Sequence, residues 1–235
     1  AIVNFDETSD ENIFIFNGLS IDQPANFDSK GLHSPHPYEA GEDYGKSELI
    51  YTATLKTPII LSDTAEISFK EVVIVEIGES GTSYGDSEFW DYVIIEGSKD
   101  TGKTWHDFTD GYDCSIDPSF VTAYNTNRVG SESMYLWHTI SLLENENLVV
   151  GDNVLVRFKL WSDPGAVGWG WAIDDVYIQA IPNLTSTENI VDNAKNLKLY
   201  PNPATGYFNM EFNSREIMNE LNISIYSIDG KLVYS

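Results

Sequence analysis

The chain has 235 residues, of which 37 are acidic and 13 are basic, and its formal net charge is −24. Such an acidic surface repels phosphate backbones and anionic lipid headgroups, which argues against nucleic acid and acidic membranes as partners. The length suits one domain of ordinary size with a small second unit. Apolar residues make up 42% of the chain and aromatic residues 13%, enough for a real hydrophobic core.

Cys114 is the single cysteine, so no disulfide can form within the chain. A lack of disulfides is typical of reducing compartments. We expect Cys114 to be a small buried residue. No apolar run reaches the roughly 18 residues that a membrane-spanning helix needs. The chain begins at Ala1 without a signal peptide, and we expect it to be the mature C-terminal part of a longer precursor.

Short apolar runs predict an all-β fold. Aromatic and β-branched residues cluster in runs separated by Gly, Asn, Asp and Ser, and long helical periodicity is absent. In the clearest run, 154–161, four apolar side chains face one way while Arg157 and Lys159 face the other. Antiparallel strands of this kind indicate a β-sandwich. The predicted strands of the main domain are 12–17, 48–54, 65–77, 89–97, 137–141, 154–161 and 172–180.

Composition divides the chain into three parts. Residues 1–180 form the predicted β domain. Residues 181–195 are rich in Pro, Asn, Thr, Ser and Glu without any period, which predicts a linker. Residues 196–235 contain a few further strands, too few for a domain that is stable by itself.

The tail combines several short motifs. A strand at 197–200 runs into Tyr200-Pro201-Asn202-Pro203, a strand at 208–212 follows, and a hairpin turns on Asp229-Gly230. This order resembles the opening of the type A C-terminal sorting domain of the Bacteroidota type IX secretion system. The resemblance covers 196–235 and implies a small, incomplete Ig-like β domain, read as an address by the secretion machinery. Members of that family continue to a basic C-terminus, so we expect a truncated tail on a secreted or surface-attached protein.

The segment Ser98-Lys99-Asp100-Thr101-Gly102-Lys103-Thr104-Trp105 looks like the Asp-box of sialidase propellers. Asp100 would accept backbone N–H groups, Gly102 would adopt a positive φ, and Trp105 would pack beneath the turn. A single copy cannot build a propeller, which requires repeats. We predict a structural, non-catalytic turn made by Ser98, Asp100, Gly102, Thr104 and Trp105.

Residues 167–178 hold a Gly/Trp run that enters an I-D-D-V-x-I strand. Together with Phe5-Asp6-Glu7 and the strand motif at 89–98, this resembles MAM-like jelly rolls and the "choice-of-anchor" modules that precede sorting tails. The resemblance spans nearly all of 1–180. It implies an antiparallel jelly-roll sandwich in which the first and last strands lie together, with acidic residues that can hold a cation.

Period-two counting from Ala172 places Asp174 on the aliphatic face of the last strand. A buried carboxylate needs a partner, and Ca²⁺, which takes about six to eight oxygen ligands, would supply one. The resemblance thus implies a structural Ca²⁺ site with the ligands Asp6, Glu7, Asp174 and Asp175. Alternatively, Asp174 accepts backbone hydrogen bonds at a strand end.

The same counting places Trp169, Trp171 and Tyr177 on the opposite face of that strand. Exposed coplanar aromatic side chains stack on sugar rings, so these three residues are a candidate carbohydrate-binding platform. Alternatively, the indoles are core residues of the sandwich.

The carboxylates Glu88, Asp91 and Glu96 could suggest a jelly-roll glycosidase. Asp91 and Glu96 have odd spacing along one strand and therefore face opposite sides of the sheet, so they cannot flank one glycosidic bond. His33 and His36 could chelate zinc, but Pro35 precludes a helix and no third ligand is evident, which favours a solvated loop.

We therefore predict a non-catalytic, calcium-stabilised extracellular module of a larger secreted protein. Its expected partners are the type IX secretion machinery and a glycan or surface protein. The alternative is a carbohydrate-binding module that serves a secreted hydrolase or adhesin. A third possibility is a part of a glycosidase or peptidase whose catalytic domain lies upstream.

Overall fold

The computed structural model describes residues 2–39, 48–163 and 165–179, and the backbone of four short strands between 197 and 234. The chain forms two compact units, Ala1–Pro182 and Asn183–Ser235. No helix in the described ranges is long and apolar enough to cross a membrane.

The first unit is built almost entirely from short strands. Its helical elements in the described ranges are α1 (Pro118–Thr126) and 3-10 turns at Asp10–Asn12, Cys114–Ile116 and Glu132–Met134. Its strands are β1 (Ile2–Val3), β2 (Phe14–Asn17), β3 (Ser20–Asp22), β4 (Gly31–His33), β5 (Leu49–Leu55), β6 (Ile59–Ile60), β7 (Glu66–Ile74), β8 (Tyr92–Ser98), β9 (His106–Asp107), β10 (Leu136–Ser141), β11 (Asn153–Ser162) and β12 (Gly170–Ile178).

Each strand predicted for this domain overlaps an observed strand. The sequence does not predict β1, β3, β4, β6 and β9, because two or three residues are too few to show alternation. The prediction also misses α1, although its N-terminal signal is present. Asp117 caps the helix by accepting the Ser119 N–H at 2.7 Å, and Pro118 occupies the first helical position.

The strands form two antiparallel sheets packed as a jelly-roll-type β-sandwich. The first sheet has the order β10-β7-β12-β4-β3, and β1 also pairs with β12. The second sheet has the order β2-β5-β11-β8-β9, and β6 also pairs with β11. Because β1 and β12 are neighbours, the first and last strands of the unit lie side by side. The fold class is all-β, as the composition predicts.

The core lies between the two sheets. The alternating apolar side chains of β11 are fully buried, and Phe158 among them contacts Phe69 and Trp171 of the first sheet with ring centroids 5.9 and 6.0 Å apart. Arg157 and Lys159 lie on the other face of β11, as the alternation predicts.

A β-bulge in β12 changes which of its side chains face the core. Asp174 pairs with Lys70 of β7 and Tyr177 pairs with Ser68, so the register shifts by one residue between the two pairs. Asp175 lies within this shift and has a φ of 48°, in the left-handed region. Asp174 therefore shares a face with Lys70 and not with the aliphatic residues that end the strand. The period-two prediction for this strand is wrong because it assumes uninterrupted alternation.

The described residues of the second unit form two antiparallel ladders. One joins β13 (Leu197–Tyr200) to β14 (Asn209–Phe212), and the other joins β15 (Ile225–Tyr226) to β16 (Leu232–Tyr234). Tyr200 is the last residue of β13, and its side chain is not among the described groups. The predicted linker at 181–195 lies outside the described residues, as do the predicted signal residues Pro201, Asn202, Pro203, Asp229 and Gly230.

Candidate functional site

The Asp-box segment forms a turn organised around Asp100. Its carboxylate accepts the Thr104 N–H at 2.9 Å and the Thr104 hydroxyl at 2.7 Å. These hydrogen bonds hold the pKa of Asp100 well below its usual value. Gly102 has a φ of +87°, its N–H donates to the Ser98 hydroxyl at 2.8 Å, and its carbonyl accepts from the Trp105 indole at 3.1 Å. Hydrogen bonds among its own residues therefore hold this turn.

The carboxylate of Asp174 has protein partners. Its Oδ2 accepts the Ser29 hydroxyl at 3.2 Å, and its Oδ1 accepts the Asp175 N–H at 2.7 Å. Burial raises the pKa of Asp174 to about 7, and the adjacent Asp175 carboxylate contributes to the rise. Asp175 itself forms an ion pair with Lys70 at 2.7 Å.

The other two predicted calcium ligands, Asp6 and Glu7, are exposed on the loop after β1. Within the described ranges, these two residues and Asp174 and Asp175 do not form a group whose ligand atoms lie close enough for one ion. The predicted set therefore does not fit a preformed calcium site in this conformation.

A different group of carboxylates has metal-like spacing. The ligand oxygens of Glu76, Asp91 and Asp163 lie within 4.8 Å of one another. Asp91 is fully buried and accepts the Tyr38 hydroxyl, which itself accepts the Glu76 and Gly168 N–H groups at 3.1 and 2.7 Å. Burial raises the pKa of Asp91 to about 7. The sequence does not indicate this group, because its members come from separate loops.

Glu96 lies apart from this group. It accepts from Arg157 at 2.5 Å and from Lys159 at 2.6 Å, on the face of β11 that points away from the core. Asp91 and Glu96 therefore occupy separate environments, which agrees with their odd spacing along the strand.

Trp169 lies in a buried aromatic stack and is only 7% exposed. Its indole stacks on His36, with centroids 3.6 Å apart, and on Phe27 at 5.7 Å. His36 Nδ1 is 3.1 Å from the Trp169 carbonyl, and its Nε2 is 2.9 Å from His33 Nδ1. A carbonyl oxygen can only accept a hydrogen bond, so we assign the His36 proton to Nδ1. His36 Nε2 then accepts a hydrogen bond from a protonated His33 Nδ1.

Burial lowers the pKa of His33 to about 3 and that of His36 to about 4, so both rings are neutral at neutral pH. The side chain of His33 is 1% exposed. The prediction of a solvated loop at these residues is therefore wrong. The loop folds back against Trp169, a contact between residues that are distant in the sequence.

Trp171 is fully buried on the core side of β12. Of the predicted sugar platform, only Tyr177 remains partly accessible, and it packs on Trp137 with centroids 5.9 Å apart. Trp169, Trp171 and Tyr177 therefore do not share an exposed surface. The indoles are core residues, the alternative that the sequence left open.

Glu71 is the centre of a buried network that the sequence does not indicate. The side chain is 1% exposed and accepts from the Trp171 indole at 2.8 Å, the Tyr112 hydroxyl at 2.9 Å and His138 Nδ1 at 2.6 Å. Three donors, one of them an imidazole, explain how the fold tolerates this carboxylate. Burial and the neighbouring Glu71 charge raise the pKa of Tyr112 well above its usual value.

This network borders a cleft at the β10 edge of the sandwich. The cleft has a volume of about 410 Å³, and its lining includes Glu71, Tyr112, Leu136, Trp137 and His138. A second cavity of about 310 Å³ shares Thr109 and Asp110 with the first. Glu71, Tyr112 and His138 give the cleft a rigid polar wall, whereas the Trp137 indole packs on Tyr177 on the opposite face of β10.

Residues 198–235 match the family model described as the secretion system C-terminal sorting domain, Por_Secre_tail. The chain carries a sorting signal. This match marks the protein as secreted or displayed at the cell surface, and it implies an interaction with the secretion machinery.

A comparison with curated protein sequences finds no match. Among solved structures, the chain is similar to a "non-crystalline cellulose specific carbohydrate-binding module", CBM28, with 11% identity, a TM-score of 0.47, and coverage of 75% of this chain and 93% of that chain. It is also similar to CBM35 from Paenibacillus barcinonensis, with 11% identity, a TM-score of 0.34, and coverage of 77% and 98%. Structural similarities with such low sequence identities and TM-scores do not bear on what the chain binds.

Proposed function

We propose that residues 1–180 form a non-catalytic, MAM-like module of a larger protein, delivered outside the cell by the type IX secretion machinery through residues 196–235. The observation that carries this proposal is the sorting-domain match at 198–235, which follows a compact β-sandwich in the chain. The module would present a binding or spacing surface beside an upstream domain.

The surroundings of three carboxylates of the sandwich support the non-catalytic role. A general acid or base must reach a proton of its substrate. Glu71 is 1% exposed and has three donors, and Asp91 is fully buried beneath Tyr38. Glu96 is 4% exposed and is held by two cations. Each of these carboxylates is engaged in holding the fold.

Deletion of the sorting segment tests the export proposal. The natural gene and a gene without codons 198–235 would be expressed in a bacterium with a type IX system, and the protein would be quantified in the cells and in the medium. We expect the shortened protein to remain inside the cells. Ile50→Ala, a change at an exposed side chain of the sandwich, is the control and should leave export unchanged. Equal export of the shortened protein would contradict the proposal.

A structural calcium ion is a separate part of the proposal. It is supported by the net charge of −24 and by the resemblance to MAM-like modules. Melting of the full chain in calcium and in EDTA provides the test, and we expect a higher Tm in calcium. Loss of that difference in Asp174→Asn would locate the ion at the predicted set, and its loss in Asp91→Asn would locate it near Tyr38. Equal melting in both buffers would exclude the ion.

A further inference from the structure

The outer face of the second sheet, which points away from the first sheet, carries two fixed and partly exposed indoles. Trp161 is the neighbour of Tyr92 across the ladder between β11 and β8, and the two rings stack with centroids 5.1 Å apart. The Trp161 indole also donates to the Glu48 carboxylate at 3.0 Å. Trp105 packs on the guanidinium of Arg157, which lies 3.9 Å from the ring centroid. Arg157 and Trp161 lie on the same side of β11, about 13 Å apart at roughly 3.3 Å per residue.

Polar groups that can bind hydroxyls lie on the same face between the two indoles. Thr54 pairs with Arg157 and Thr52 pairs with Lys159, and directly paired residues of two antiparallel strands point to the same side. Asn17 of β2 pairs with Thr52 and extends the row. The side chains of Thr52, Thr54 and Asn17 are partly or fully exposed, and each can donate and accept hydrogen bonds. Indoles beside such groups match a sugar chain, which has apolar ring faces and hydroxyl groups at the ring edges.

The charges of this face decide the class of sugar. Glu96 accepts from Arg157 Nε at 2.5 Å and from Lys159 Nζ at 2.6 Å. Asp107 is the neighbour of Glu96 across the ladder between β8 and β9. The two cations therefore compensate carboxylates of their own face. Uronic acids and sulfated sugars carry charges that this arrangement does not neutralise, and the net charge of −24 repels them further.

From these observations we propose that the outer face of the second sheet binds a neutral polysaccharide. The polysaccharide lies along β11, with one sugar ring against Trp161 and another against Trp105, and its hydroxyls bond to Thr52, Thr54 and the Nη groups of Arg157. Because Glu96 holds Arg157 through Nε, the Nη groups keep a fixed direction. The inference names a ligand class for the surface that the module presents, and it therefore rests on the proposed presentation role.

Affinity electrophoresis of the full chain tests the proposal. Native gels would contain hydroxyethylcellulose, xylan or galactomannan as neutral probes and polygalacturonate as the anionic probe. Trp161→Ala is the test variant. Trp137→Ala is the matched control, since Trp137 is an indole that is 44% exposed on the other sheet and packs on Tyr177. Thermal melting of each variant checks that it is folded at the assay temperature.

We expect at least one neutral polymer to retard the wild-type chain and polygalacturonate to leave it unretarded. Trp161→Ala should weaken binding at least about tenfold, as truncation of an aromatic anchor does, and Trp137→Ala should bind like wild type. The double variant Thr52→Val/Thr54→Val removes two hydroxyls and keeps the β-branched shape of both side chains. It should also weaken binding, and it replaces Trp161→Ala as the test if that variant is unfolded.

The proposal is overturned if no neutral polymer retards the chain, or if polygalacturonate retards it as much as any neutral polymer does. It is also overturned if Trp137→Ala alone abolishes binding, or if Trp161→Ala and the double threonine variant both bind like wild type. Because the gels use purified protein, a chain that binds no polymer but still needs 198–235 for export would overturn this proposal and leave the export proposal intact.

Discussion

Replacement of Glu71 by alanine should destabilise the β-sandwich by about 3 kcal/mol. The substitution leaves two buried donors without a partner, the Tyr112 hydroxyl and the Trp171 indole. Each unpaired buried donor costs roughly 1–3 kcal/mol, so the pair costs about 4 kcal/mol. The His138 side chain is 30% exposed and can bond to water instead. The alanine variant also no longer has to desolvate the Glu71 carboxylate, which offsets about 1 kcal/mol of this loss.

Glu71→Gln should cost only about 1 kcal/mol, the difference between a charged and a neutral acceptor. Tyr112 and Trp171 donate to the same oxygen of Glu71, so one glutamine oxygen can serve both. The glutamine NH₂ group can donate to His138 Nδ1 once the imidazole proton moves to Nε2. Every polar group then keeps a partner, at the expense of a changed tautomer of His138.

Urea unfolding at pH 7, followed by tryptophan fluorescence and circular dichroism, would measure both losses. A loss of about 3 kcal/mol corresponds to a decrease of roughly 6–12 °C in Tm for a domain of this size. Nitrogen chemical shifts of His138 would report its tautomer in wild type and in Glu71→Gln. The reasoning fails if the alanine variant unfolds at the same urea concentration as the glutamine variant, or if both match wild type.

Three further predictions concern the pH dependence of stability, the aromatic stack and the Asp-box turn. Burial raises the folded-state pKa of Asp174 from 3.8 to about 7, so its stabilising contribution is complete below the unfolded pKa and is lost as the pH rises through 7. In calcium-free buffer, Asp174→Asn should therefore melt above wild type at pH 8 and not at pH 4, and an equal difference at both pH values would refute this. Trp169→Ala should lose about 3–5 kcal/mol in urea unfolding because it removes a buried indole, whereas a wild-type unfolding curve would mean that the stack with His36 is absent in solution. Gly102→Ala should cost about 1–2 kcal/mol in thermal melts, because the residue has a φ of +87° that disfavours a Cβ, and an unchanged Tm would argue against this turn.

Features of this protein that have local causes can be predicted from the sequence. The alternation in β11 predicts its two faces, because successive side chains of a strand point to opposite sides. The same rule separates Asp91 from Glu96. The all-β class follows from composition and short apolar runs. The sorting signal is likewise a short linear motif, and the family match at 198–235 supports it.

Features that depend on strand register or on distant partners follow from the tertiary structure and cannot be predicted from local sequence. The bulge at Asp175 moves Asp174 to the side of Lys70, and period-two counting cannot detect an extra residue whose cause is pairing with β7. The donors to Glu71 lie 41, 67 and 100 residues away from it along the chain. Burial of Trp171 and exposure of Trp137 follow from the position of each strand in its sheet. Side-chain type indicates what a residue can bind, whereas packing across the sandwich decides which residues are free to bind it.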